Sequence, residues 1–141
     1  MGMKWLCVCL IALLLCGCST KEKYDKVLIP EEKENTAVLQ IEEETYNGGE
    51  YSQYLVNHYE YHDVDVGQKV YGGYGEVSVQ SADSQHIVLK IDGNWVEPKE
   101  DGSISLLDKG LKSIDVPIGE SVKIATQTMD AGATLTISYG Y

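Results

Sequence analysis

The sequence predicts an all-β protein, an antiparallel β-sandwich of Ig-like or jelly-roll-like kind with about seven to nine strands. Three observations carry that prediction. From Ala37 onward apolar residues return at alternate positions, the period of a strand with one face in a core and one in water. Turn chemistry built on Gly, Asn and Asp recurs every ~8–12 residues, the spacing of a sandwich or barrel. No segment sustains the apolar stripe that a helix needs. Polar outer faces and short connections favour antiparallel pairing.

Taken in chain order, Val38 to Tyr46 is the first strand segment and Tyr51 to Val66 the second. Val77 and Val79 share one face of a third. Ile87, Leu89 and Ile91 share one face of the next, and Asp92-Gly93-Asn94 supplies the turn that ends it. Ile104 with Leu106 gives a further period-2 run, although Leu106 to Ser113 also has room for one helical turn. Ile114, Val116 and Ile118 form another. Val122, Ile124 and Thr126 alternate with Lys123, Ala125 and Gln127. Ala133 to Tyr139 alternates apolar and hydroxyl residues without a break, and Met129-Asp130-Ala131-Gly132 reads as the hairpin loop between those two strands. No internal repeat is visible.

The N-terminus is organised differently. Lys4 precedes an apolar run from Trp5 to Leu15, followed by Leu15-Cys16-Gly17-Cys18 and polar Ser19-Thr20-Lys21. A charged start, a short apolar stretch and small residues before a cleavage point make a secretory signal. A membrane helix needs about 20 apolar residues, more than this run supplies. Leu15, Gly17 and Cys18 resemble the lipobox of bacterial lipoprotein precursors, with Cys16 where that family usually carries Ala, Ser, Thr or Val. The resemblance implies that Cys18 is thioether-linked to diacylglycerol and becomes the mature N-terminus. It also implies a protein held on the extracytoplasmic face of a cell membrane. The chain then divides into residues 1–17 as signal, 18–36 as lipidated Cys and tether, and 37–141 as one sandwich domain. The tether is rich in Lys and Glu around Pro30, and its length corresponds to an average reach of about 23 Å for a flexible chain. Val27-Leu28-Ile29 within it is apolar enough to begin a strand.

Composition excludes several functions. All four cysteines (Cys7, Cys9, Cys16, Cys18) lie at or before the cleavage point, so the domain has no disulfide, thiolate metal site or Cys nucleophile. Loss of Lys4 with the signal moves the formal charge from −11 to −12. Every basic residue is Lys, which argues against nucleic acid as a partner and removes the guanidinium fork that clamps phosphate or carboxylate.

Three places have side chains suited to chemistry or binding. His58, Glu60 and His62 share one strand face, as weak metal ligands. Adjacent members are about 6.8 Å apart at strand rise and the two His about 13–14 Å, too far for one zinc ion. A solvated face, with Tyr59 and Tyr61 turned inward, is the simpler reading. Asp63-Val64-Asp65-Val66-Gly67 begins like a calcium loop but carries Gly67 at the fifth position and Tyr74 at the twelfth. Glu97 to Gly102 is a charged turn with several carboxylates. Finally, seven of the ten Tyr lie between Tyr46 and Gly75, beside Gly48-Gly49 and Gly72-Gly73-Tyr74-Gly75. Tyr71, Tyr74 and Trp95 are the ligand-binding candidates, as stiff amphipathic rings on adaptable loops. With no Phe in the chain, Tyr also has to serve as the large core aromatic.

No nucleophile elbow or phosphate loop occurs. The expectation is a membrane-anchored extracytoplasmic binding module that needs no cofactor and engages a glycan or protein through Tyr-rich loops. An assembly subunit pairing through a sheet edge, or a small metal-dependent hydrolase, are the alternatives.

Overall fold

A computed structural model describes residues 36–48, 54–128 and 130–141. The signal, Cys18, the tether to residue 35, Tyr51 and Met129 lie outside the described residues. The described chain is a two-sheet antiparallel sandwich of nine strands, as the alternation predicts.

The strands are β1 (Val38–Asn47), β2 (Leu55–His62), β3 (Lys69–Tyr71), β4 (Glu76–Ala82), β5 (His86–Asp92), β6 (Trp95–Val96), β7 (Ser113–Pro117), β8 (Glu120–Thr126) and β9 (Ala131–Gly140). One sheet has the order β2-β1-β9-β8-β6, the other β3-β4-β5-β7. Between them lie the inward residues of the period-2 runs: Leu39 and Ile41 of β1, Val77 and Val79 of β4, Ile87, Leu89 and Ile91 of β5, and Leu135 and Ile137 of β9. All are essentially inaccessible, and burying each such side chain stabilises the fold by about 1.5–3 kcal/mol. Tyr hydroxyls tie the sheets together: Tyr61 Oη of β2 donates to Val70 O of β3 at 2.8 Å, and Tyr139 Oη of β9 donates to Asp83 O at 3.0 Å.

Two expectations are corrected. Ile104 and Leu106 do not form a strand. Pro98 follows β6 closely and has no N–H to continue a ladder, and the chain instead loops out until Ser113. That loop is pinned by Gln127, whose Nε2 donates to Ser105 O at 2.7 Å and to Asp108 O at 2.9 Å. Leu106 and Leu107 form an exposed turn there. Secondly, the hairpin loop between β8 and β9 begins and ends earlier than expected, because β8 stops at Thr126 and Ala131 and Gly132 already belong to β9. No helix occurs among the described residues.

Register fixes which loops lie together. Val38 stands opposite His62 and Gly140, and Asn47 opposite Ala131. The chain therefore enters at one end, with residues 63–68, 83–85 and 118–119. The opposite, far end carries Gly48, Tyr54, residues 72–75 and 93–94, and Gln127, Thr128 and Asp130. Leu106–Leu107 joins the far end, because Gln127 holds that loop and Leu111 N donates to Trp95 O.

Candidate functional site

Glu43 is the most unusual side chain of the described domain. It continues the inward parity of Leu39 and Ile41 on β1, so the pleat points a carboxylate into the sandwich, where it is 5% exposed. Three donors converge on it. Tyr71 Oη donates to Oε1 at 2.6 Å; Asn57 Nδ2 and Tyr59 Oη donate to Oε2 at 2.9 and 3.0 Å. Asn57 lies directly opposite on β2, whereas Tyr71 comes from β3 in the other sheet, so the cluster bridges the layers. Burial by itself raises the Glu43 pKa, but the bonds from Tyr71, Asn57 and Tyr59 outweigh it and hold the group below its ordinary value. The same pairing, led by desolvation, drives the Tyr71 and Tyr59 hydroxyls upward. At neutral pH the cluster is one anion held by neutral donors.

The aromatic candidates sit around that carboxylate rather than on the surface. Trp95 is completely buried and Tyr71 nearly so. Their rings meet edge-on at 5.7 Å and 80°, and Tyr71 meets Tyr59 at 6.2 Å and 83°. Neither Trp95 nor Tyr71 has a free face for stacking on a ligand, which corrects that part of the binding expectation. The lack of Phe explains it: these rings fill the core where Phe would otherwise stand. Tyr74 is the exception. Its N–H donates to Tyr71 Oη at 3.2 Å, while its ring is about half exposed.

The Gly-rich segment closes over this cluster. A Cβ on Gly73 would collide with the Tyr71 hydroxyl, and one on Gly75 would lie 2.5 Å from Asp92 O and 2.7 Å from Trp95 Nε1. Gly75 also has φ +155°, a conformation that L side chains rarely adopt. These glycines let backbone lie directly on aromatic rings. Trp95 Nε1 is the one buried side-chain polar atom without a hydrogen-bond partner among the described residues.

His58, Glu60 and His62 do share the outer face of β2, all three exposed. The histidines turn to different carboxylates. His62 Nε2 lies 2.7 Å from Glu60 Oε1, and His58 Nδ1 lies 3.4 Å from Glu42 Oε2 on β1. No group of three metal-ligating side chains with metal-site geometry occurs among the described residues. The outer face between β2, β1 and β9 is instead a shallow polar depression of about 430 Å³ that includes Gln40, Glu42, His58, Glu60, Thr136 and Ser138. The Glu97–Gly102 turn spends its chemistry on itself: Asp101 Oδ1 accepts from Ser103 N at 2.9 Å and from Ser103 Oγ at 2.6 Å.

The exposed large apolar side chains are distributed unevenly. Eight stand out among the described residues, and six belong to the far end: Tyr54, Leu55, Val56, Tyr74, Leu106 and Leu107. Val66 and Tyr141 lie at the end where the chain enters. Leu107 is the extreme case at 95% exposed. Sequence reasoning missed Glu43 and the apolar tip. Glu43 was legible as the inward parity of β1 extended by one more step; Leu107 needed the loop to be recognised as a loop.

Fold and site together define a two-layer β-sandwich with a buried carboxylate–tyrosine clamp and an apolar loop end. Compared with protein-family models, curated proteins and solved structures, the chain finds no match.

Proposed function

We propose that the protein is a lipid-anchored extracytoplasmic interaction module that grips a protein partner with the far loop end of its sandwich. One observation carries this reading: the exposed apolar side chains gather at the end opposite the point where the chain enters. A lipid on Cys18 would tether the domain from its entry end, leaving that apolar end free to meet another molecule. Exposed apolar side chains concentrated at one end of a domain favour an interaction role for that end, with Tyr54, Leu55 and Val56 at the β2 side of the sheet and Leu106 and Leu107 at the β6 side. Leu55, Val56, Leu106 and Leu107 are aliphatic, the chemistry of protein contacts; with Trp95 and Tyr71 enclosed, stacking on sugar rings is left to Tyr54 and Tyr74.

The test is position-specific photo-cross-linking in intact cells. A photoreactive residue replacing Leu107 or Tyr74 should yield a discrete adduct with one partner, and the same residue replacing Val66 or Ser84 at the entry end should not. Equal labelling at both ends would refute the far-end reading. Membrane fractionation checks the anchor separately: Cys18→Ala should shift the protein out of the membrane fraction, and unchanged fractionation would refute lipidation at that residue.

A further inference from the structure

The four sheet edges are unequally protected. β6 is two residues long, and β3 is three residues long with an irregular register and Lys69 at its start. β7 is five residues long and ends at Pro117. Each has a device that blunts edge-to-edge pairing. β2 has none. It is eight residues long and pairs with β1 in unbroken register. Its sequence, Leu55 to His62, contains no Pro, Gly or Lys and is rich in residues that favour strands. Leu55 and Val56 at its start are exposed.

We propose that two copies of this chain pair antiparallel through β2, joining their five-stranded sheets into one continuous sheet. The pleat restricts how this is done. A two-fold axis perpendicular to the sheet keeps outward residues opposite outward residues, so registers differing by single residues are excluded. Among those that remain, the one with Tyr59 on the axis sets His58 of each copy opposite Glu60 of the other, and Val56 opposite His62. His58 uses Nδ1 towards Glu42 on its own sheet, which leaves Nε2 for a second acceptor. The neighbouring register, with His58 on the axis, would place His58 against itself and Glu60 against Val56. Donor–acceptor complementarity, an imidazole N–H facing the Glu60 oxygen that His62 does not occupy, selects the first. Asn57 and Tyr61 face one another on the inner side of that register, beside the Tyr-lined cleft of about 390 Å³ between β2 and β3. The occupant of the β2 edge is thus a second copy.

The experiment uses the full chain solubilised from membranes in mild detergent. Sedimentation velocity should show a dimer that dissociates on dilution; a monomer into the high micromolar range overturns the proposal. The register is read with cysteines. A mixture of His58→Cys and Glu60→Cys chains should form an intermolecular disulfide far more readily than either variant alone, with the unaltered chain giving the background from its native cysteines. Equal cross-linking in the separate variants, or in a Leu107→Cys control, overturns the register. A charge swap completes the test. Glu60→Lys should weaken the dimer about tenfold, since two cross-strand imidazole–carboxylate pairs of ordinary strength are lost. His58→Glu combined with Glu60→Lys should restore it, and failure of that rescue overturns the pairing. Trp95 fluorescence shows that every variant remains folded.

Discussion

Replacing Glu43 tests whether the buried carboxylate holds the two sheets together. Glu43→Ala removes one acceptor group and strands three donors. Tyr71 is buried and has no water to turn to, so its loss falls in the range of ~1.5–3 kcal/mol for a hydrogen bond to a charged group. Asn57 and Tyr59 are only half-buried and recover part of their bonding from solvent, adding about 0.5 kcal/mol each. The expected cost is about 3 kcal/mol, or roughly 12–20 °C in Tm for a domain of this size. Glu43→Gln keeps the shape and one acceptor oxygen, so it should cost about 1 kcal/mol. The assay is urea unfolding followed by tryptophan fluorescence, because Trp95 is the only Trp after the signal segment. The pH dependence supplies an independent check. Glu43 has a folded pKa below its unfolded value, so its contribution is complete above the unfolded pKa near 4.5 and fades as pH falls through the folded value. The gap between the native protein and Glu43→Gln should accordingly be full at pH 7 and close in acid below 4.5. A Glu43→Ala cost under about 0.5 kcal/mol, the scale of an ordinary surface substitution, would refute the clamp. So would a gap that stays constant from pH 7 into acid.

Three further outcomes follow from the same geometry. Tyr71→Phe should cost about 1.5–3 kcal/mol, and the double variant with Glu43→Gln should cost less than the sum, a coupling that unfolding midpoints would resolve. Gly73→Ala should destabilise by at least about 1–3 kcal/mol, since its Cβ meets the Tyr71 hydroxyl; a Tm within a degree of the native value would contradict the packing described. Leu107→Ser should leave unfolding unchanged within about 0.5 kcal/mol while abolishing the far-end cross-link, and loss of stability instead would mean that Leu107 is structural.

The fold was legible because its signal is local. Period-2 alternation in residues such as Ile87, Leu89 and Ile91 both names a strand and tells which face is buried. Ile104 and Leu106 mimicked that signal over too short a window. Only the tertiary grip of Gln127 on Ser105 and Asp108 decides that they are loop. β6 escaped notice because two residues carry no period, so Trp95 looked like a loop aromatic when it is the most enclosed large side chain of the core. The metal reading of His58, Glu60 and His62 placed them correctly on one face, but sequence could not show that Glu42 from the neighbouring strand competes for His58. Sites assembled from β1, β2 and β3 are long-range by nature: Glu43 and Tyr71 are 28 residues apart. No local pattern reveals such a meeting.

The inner position of β1, between β2 and β9, bears on how the molecule would withstand force. The strand is flanked on both sides, by ten register pairs with β9 and eight with β2. An anchor before Val38 and a partner at the opposite loops would pull along the strand direction. In that geometry the hydrogen bonds of both ladders are sheared together, where a pull from the side would peel them one after another. Rupture then requires many bonds to fail in the same event, and resistance to it is governed by the unfolding rate rather than by equilibrium stability. A chain pulled through an inner strand of a sheet would therefore act as a mechanical joint.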